Sequence, residues 1–342
     1  MKISKKLKIL FLIILSIVSV SVAMGMGSVS IPLKEQLSII GNRLFGLSTG
    51  YNDSNATILL SIRIPRVLTA FFVGGALAIA GVVTQSILQN PLASSYTLGV
   101  SSGAALGAAL ITVFEISIPV LGILLLPVGG FAGGMLAVLF VMLFSKYMDN
   151  SVSSHTIILV GMIVSMFTNA VITLLAVLFS RHEHHIISWT LGSFNGKRWY
   201  HALILAIAGV IAVSCTLYRH MELDIMSFGD ENAKSIGVNV SKIKYRQLIL
   251  AALITGISVC FTGTIGFVDL IAPHVSRKYM GATHKAIIPA SFFFGGILMT
   301  LADLFARTLI APLEIPVGAV TALIGAPFFM YIYFNRRATH EG

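Results

Sequence analysis

What this 342-residue chain has least of is charge. Asp, Glu, Lys and Arg make up 11% of it, against about 25% in an average soluble domain. With 56% hydrophobic residues and a mean hydropathy of +0.92, that scarcity excludes an ordinary water-soluble globule. Cysteine is nearly absent too. Cys215 and Cys260 both lie inside apolar runs, without the paired spacing that a disulfide framework or a cysteine zinc site needs. No GxxxxGK[ST] phosphate loop occurs: the nearest string, Gly192-Ser193-Phe194-Asn195-Gly196-Lys197-Arg198, has the wrong spacing, so the chain carries no ATPase motif of its own.

What is there instead is a succession of long apolar stretches. A bilayer core of ~30 Å takes about 20 apolar residues per helix. The pattern predicts ten spans, near 9–29, 65–88, 95–114, 119–144, 156–179, 199–218, 246–264, 266–280, 286–305 and 316–334. The expected fold class is all-α: a polytopic membrane protein whose residues 1–342 form a single transmembrane domain. The first stretch follows Lys2, Lys5, Lys6 and Lys8 like a secretory signal, but the many that succeed it make it an uncleaved first helix. The eighth contains Asp269, Pro273, His274, Arg277 and Lys278 and is short. It is expected to be a broken or half-length helix shielded by protein, because unpaired polar backbone in hydrocarbon costs several kcal/mol.

The net charge of +10 reads as topology. With a cytoplasmic N-terminus, fifteen of the 23 basic residues fall inside, Lys146, Arg219, Lys234, Lys242, Lys244, Arg246, Arg336 and Arg337 among them. Eight fall outside, the direction that the positive-inside rule requires. The expected location is the cell membrane, with both termini cytoplasmic. The longest inside loop, 219–244, reads as the place for a cytoplasmic partner. In it Gly229-Asp230-Glu231-Asn232-Ala233-Lys234-Ser235-Ile236-Gly237-Val238 has acids for a helix first turn and a glycine to stop it. Gly74, Gly81 and Pro91 recur as Gly256, Gly263 and Pro273 at an offset of 182, a spacing suggestive of an inverted repeat.

Three groups of side chains could carry chemistry. Arg181-His182-Glu183-His184-His185 offers imidazoles for a metal but lacks the i, i+4 His pair of HExxH, so no metal or cofactor is expected. Asp269 and Asp303 lie in apolar sequence, where a carboxylate suggests a pathway, a proton relay or a helix contact; Asp303 has Arg307 one turn away. Arg63, Arg66 and Arg307 face outward against the charge trend. They suit either an acidic partner, through bidentate contacts, or lipid headgroups.

The chain resembles the permease subunits of ABC importers for ferric siderophores, haem and cobalamin. The resemblance is carried over nearly the whole length by Arg63-Ile64-Pro65-Arg66, Gly81 to Gln85 with Asn90-Pro91-Leu92-Ala93, and Leu98-Gly99-Val100-Ser101-Ser102-Gly103-Ala104. It continues through Gly229-Asp230-Glu231 with Ile236-Gly237-Val238, Gly266-Phe267-Val268 with Pro273-His274 and Arg277, and Ala302-Asp303 with Arg307. Glu314-Ile315-Pro316-Val317-Gly318 and Thr321-Ala322 to Gly325-Ala326-Pro327 complete it. It implies a type II ABC importer fold and a dimer of this chain with a second copy or a paralogue. It also implies two ATP-binding subunits on the 219–244 loop and a substrate-binding protein docked on Arg63, Arg66 and Arg307. Asn90, Pro91, Leu92, Ala93, Pro273, His274, Arg277, Glu314, Pro316 and Gly318 are the expected pathway and structural positions. Two departures stand out: Asp269, where the family has Gly, and Thr283-His284-Lys285, where it has an acidic-His-Arg string. A proton-coupled transporter using Asp269 and a metalloenzyme using His182 to His185 are the competing readings.

Overall fold

A computed structural model describes residues 4–46, 51–149 and 153–338, with side chains described as far as Tyr331. Lys2 and the side chains of Arg336 and Arg337, which entered the orientation count, lie outside what is described. All the regular structure described is helical. The chain order is α1 (Lys5–Gly25), α2 (Leu33–Phe45), α3 (Asp53–Thr57), α4 (Ile64–Ile87), α5 (Val100–Val113), α6 (Leu125–Met148), α7 (Ser154–Leu178) and α8 (Glu183–Leu191). It continues with α9 (Trp199–Tyr218), α10 (His220–Met226), α11 (Asp230–Ser235), α12 (Val240–Thr262), α13 (Val268–Met280), α14 (His284–Thr308) and α15 (Val317–Ala338).

Among the described residues, seven helical stretches are long and apolar enough to cross a membrane. Of the other three predicted spans, 95–114 corresponds to the shorter apolar helix α5, and 316–334 to α15, which is apolar over Val317–Tyr331. The third is α13, whose 13 residues at 1.5 Å each reach only about 20 Å. Its burial on Val268, Asp269, Ile271, Ala272, Pro273, Ser276 and Met280 is the protein shield that a polar half-helix requires. The span predicted at 95–114 is shortened for a local reason: Gly99 sits at φ +79°, a left-handed turn that separates a 3-10 segment, Ser95–Leu98, from α5.

The centre of the molecule is α4, in which only Leu68 and Phe72 escape full burial. α9, α12, α13 and α14 pack around it. Such contact needs small residues where backbones meet. A Cβ on Gly74 would lie 2.2 Å from the Gly295 oxygen of α14, and one on Gly81 would lie 1.8 Å from the Asp269 oxygen of α13. The spacing match with Gly256 and Gly263 does not mark equivalent places, since Gly263 ends α12 at φ +74°. α1 packs on α14 and turns Leu7, Leu10, Phe11, Ile14 and Ile17 outward. Its basal end is tied to the α13–α14 turn by Lys5 Nζ to Thr283 Oγ1 (3.0 Å) and Lys8 Nζ to the Tyr279 carbonyl (2.5 Å).

Candidate functional site

Polar side chains gather at the two ends of this bundle. At the distal mouth, opposite Lys5 and Lys8, the three arginines singled out in the sequence converge. Arg66, on the first turn of α4, is gripped by two acids. Its Nη2 lies 2.8 Å from Asp303 Oδ1 and its Nη1 2.7 Å from Glu314 Oε1, with Nε donating to both Asp303 oxygens. Arg63 donates to the carbonyls of Met24 and Gly25 at 3.0 Å and to that of Val29. Arg307 donates to the carbonyl of Ala23 and stands 3.6 Å from Asp303. Ala23, Met24 and Gly25 end α1, where carbonyls have no partner in their own helix, so two of the arginines cap it. Gly27 completes the fit: a Cβ there would lie 2.7 Å from Arg63 Nη2 and 3.3 Å from Arg307 Nη1.

The three guanidiniums are only 4%, 7% and 9% exposed by residue and are engaged within their own chain. They brace the mouth. Asp303, whose expected partner is Arg307, has Arg66 as its main one. Glu314 closes the knot from the loop before α15. Beyond it Val317 N donates to Gly192 O at 3.2 Å, and Gly318 packs where a Cβ would meet Leu191 O at 2.5 Å. Pro316 carries the chain into α15.

Below the mouth the two halves are stitched where helices break. Asp269 Oδ2 accepts from the backbone and hydroxyl of Ser95, both at 3.0 Å. Tyr96 Oη donates to Ile265 O at 2.5 Å. Gln85 donates to Asp269 O and accepts from Arg277, joining α4 to α13. Pro273 lies buried inside α13, and His274 meets the Phe328 ring edge-on, centroids 6.2 Å apart.

The basal end holds the 219–244 segment, folded as α10 and α11. Asp230 and Glu231 start α11, Gly229 precedes it at φ +108°, and Gly237 follows at φ +83°. Gly237 N and Val238 N turn back to Lys234 O and Ala233 O, so the expected acidic start and glycine stop are both present. The segment is fastened to three spanning helices. Asp230 Oδ2 lies 2.5 Å from Nζ of the fully buried Lys244 of α12, and its Oδ1 accepts from Gln89 after α4 at 2.8 Å. Asp224 Oδ1 lies 2.6 Å from Nδ1 of His284, at the start of α14, whose Nε2 lies 2.6 Å from Ser86 Oγ in α4. Glu222 Oε1 meets Arg219 (2.8 Å) and Arg246 (3.7 Å), while its Oε2 accepts from Gln247 at 3.0 Å. Ala233 is buried, whereas Phe228, Glu231 and Ile236 are exposed.

Asn90 to Ala93 form a turn against this junction: Leu92 N donates to Asn90 Oδ1 at 2.9 Å and Ala93 N to Asn90 O at 3.0 Å. A cavity of about 620 Å³ lies between Asn90, Ser154, His155 and Gly229 to Asn232. Pro91 sits in the turn and Leu92 is exposed, so this motif serves the basal junction. The sequence reading did not single out Lys244, His284, Ser86 or Gln85 as contacts of these motifs. The outer imidazoles do not gather: His182 faces Glu115 at 3.5 Å, and among the described residues no group of three His, Cys, Asp or Glu could hold a metal ion.

A helical, multi-spanning body with a braced mouth at one end and a fastened segment at the other defines a membrane transport protein. The chain belongs to the FecCD transport family, whose model matches residues 11–335. It is 38% identical over 316 residues to the uncharacterized ABC transporter permease protein YvrB of Bacillus subtilis, covering 92% of this chain and 89% of that one. It is 35% identical over 310 residues to the hemin transport system permease protein HmuU of Yersinia pestis, covering 90% and 91%. A chain solved in an inward-facing conformation, of a transporter assigned to the metal-chelate ABC type, superposes with TM-score 0.80 at 29% identity, over 96% of this chain and 98% of that one.

Proposed function

We propose that this chain is the permease subunit of an ABC importer that carries an iron-siderophore complex, or haem or cobalamin, across the cell membrane. ATP is hydrolysed by a separate pair of subunits. The observation that carries the reading is the fastening of α10–α11 at once to α4, α12 and α14. A push on its exposed Phe228, Glu231 and Ile236 moves three central helices together. Segment 219–244 is then the ATPase contact, the basal face is cytoplasmic, and both termini lie inside. The braced distal mouth receives a substrate-binding protein, with Arg63, Arg66 and Arg307 setting its shape and charge, and a second copy or a paralogue completes the path.

ATP rather than a proton gradient is the driving force on this reading because of the family to which the chain belongs. Asp269 does not decide it: its Oδ2 accepts from Ser95, while its Oδ1 is buried with no hydrogen-bond partner among the described residues. The test is uptake by vesicles holding this permease with its ATPase pair and binding protein. Uptake requires internal ATP and survives a protonophore at constant ATP. Collapse of uptake with the proton gradient alone would overturn the reading in favour of a secondary transporter.

A further inference from the structure

A cavity of about 300 Å³ opens on the distal side between α5, α8 and the end of α12, apart from the arginine knot. Ala108 on α5 leaves it room, and Trp189 on α8 gives it an aromatic wall. His185, Ser193, Asn195 and Lys197 supply its polar lining. Lys197 is partly buried, and its Nζ donates to Phe261 O at 2.6 Å. No carboxylate of the described residues pairs with it.

An ammonium has three donors, and here one is engaged by the chain. A charge taken out of water is costly unless it is paired. Burial lowers the Lys197 pKa, with Cys260 opposing the shift and the positive field of Arg66 adding to it. A cation short of counter-charge that lines the same cavity as an imidazole, a hydroxyl and a side-chain amide offers the donor types of an anion site. Phe261 O is among the last carbonyls of α12, which a lysine can cap, but capping engages one donor and requires no cavity.

We propose that this cavity binds a carboxylate-bearing ligand, with Lys197 as the cation that receives it. On the importer reading, on which this assignment rests, the ligand is a carboxylate arm of the cargo, with Trp189 flanking its apolar part.

The probe is citrate, titrated against the purified full chain in nanodiscs of neutral lipid and followed by thermal unfolding, with sodium chloride at equal ionic strength as reference. Citrate is expected to raise the melting temperature of the wild type and of Lys197→Arg. Its apparent Kd should weaken about tenfold or more in Lys197→Met, the loss of one charge-assisted hydrogen bond, and several-fold in Asn195→Asp. A shift that chloride reproduces, or one undiminished in Lys197→Met, makes Lys197 a cap of α12 alone and overturns the proposal. If Lys197→Met does not fold, Asn195→Asp decides, since Asn195 is exposed: unchanged citrate binding there counts against the site. A Lys197-dependent shift given by phosphatidylglycerol and not by citrate assigns the cavity to a lipid headgroup and overturns the cargo assignment. The assay uses neither ATPase nor binding protein, so its failure leaves the importer reading to the vesicle experiment.

Discussion

At the scale of single residues, the distal mouth shows why charge at a membrane boundary is hard to read from sequence. Arg63, Arg66 and Arg307 are visible as outward cations and the Asp303–Arg307 neighbourhood is local, but the carbonyls of α1 that Arg63 and Arg307 meet and the acids 237 and 248 positions from Arg66 are supplied by no local pattern. Asp303→Asn takes one carboxylate from a buried guanidinium while Glu314 remains. We expect a loss of about 3 kcal/mol, the low end of the cost of breaking a buried pair, read as a fall in the unfolding midpoint. Arg63→Ala frees the last carbonyls of α1 and should destabilise the same mouth, whereas a purely docking residue would weaken binding-protein association and leave the midpoint alone. Asp269 separates structure from energetics in another way. Asp269→Asn keeps an acceptor for Ser95, so ATP-driven uptake is expected to stay near wild type. A variant that folds but does not transport would give the carboxylate a part in the cycle.

At the scale of elements, the apolar spans were legible because hydrocarbon admits few alternatives to a helix, and the polar residues of α13 marked it as broken or half-length, of which the structure shows the second. The breaks were not. Nothing in the apolar run 95–114 shows that Gly99 turns left-handed and leaves α5 at 14 residues. The short α2 also went unread, although Leu33, Leu37, Ile40 and Leu44 recur at helical spacing. Packing between elements is set by glycines whose role depends on what they face. Gly81→Val must push α4 away from the Asp269 backbone, a strain of about 1–3 kcal/mol or more, and is expected to cut the yield of folded protein. Gly266→Ala, with nothing within 4 Å of the added carbon, should be recovered at wild-type levels. Equal yields of the two, by fluorescence-detected gel filtration, would refute the crossing as drawn.

At the scale of the whole molecule, the basal segment gives two neighbouring acids opposite duties, and the importer reading stands on that division. Asp230 faces inward to Lys244 and Gln89, so it belongs to the hold between the segment and the bundle. Asp230→Ala should lose charge-assisted bonds, about 2 kcal/mol, and lower the unfolding midpoint. Glu231 is exposed on the same turn, and Gly237 ends the helix at a φ that a side chain rarely adopts. Changing these two alters the face and outline presented to a partner while leaving the Asp230 hold in place. The double variant Glu231→Arg, Gly237→Val should still insert and purify, with its midpoint lowered by about 1–3 kcal/mol because a β-branched side chain is strained at that left-handed φ, whereas Glu231→Arg alone should stay within about 1 kcal/mol of wild type, as for most exposed substitutions. Uptake, and the extra ATP hydrolysis that cargo-loaded binding protein elicits, should be lost. Normal uptake by this variant, once its insertion is verified, would remove segment 219–244 as the seat of coupling.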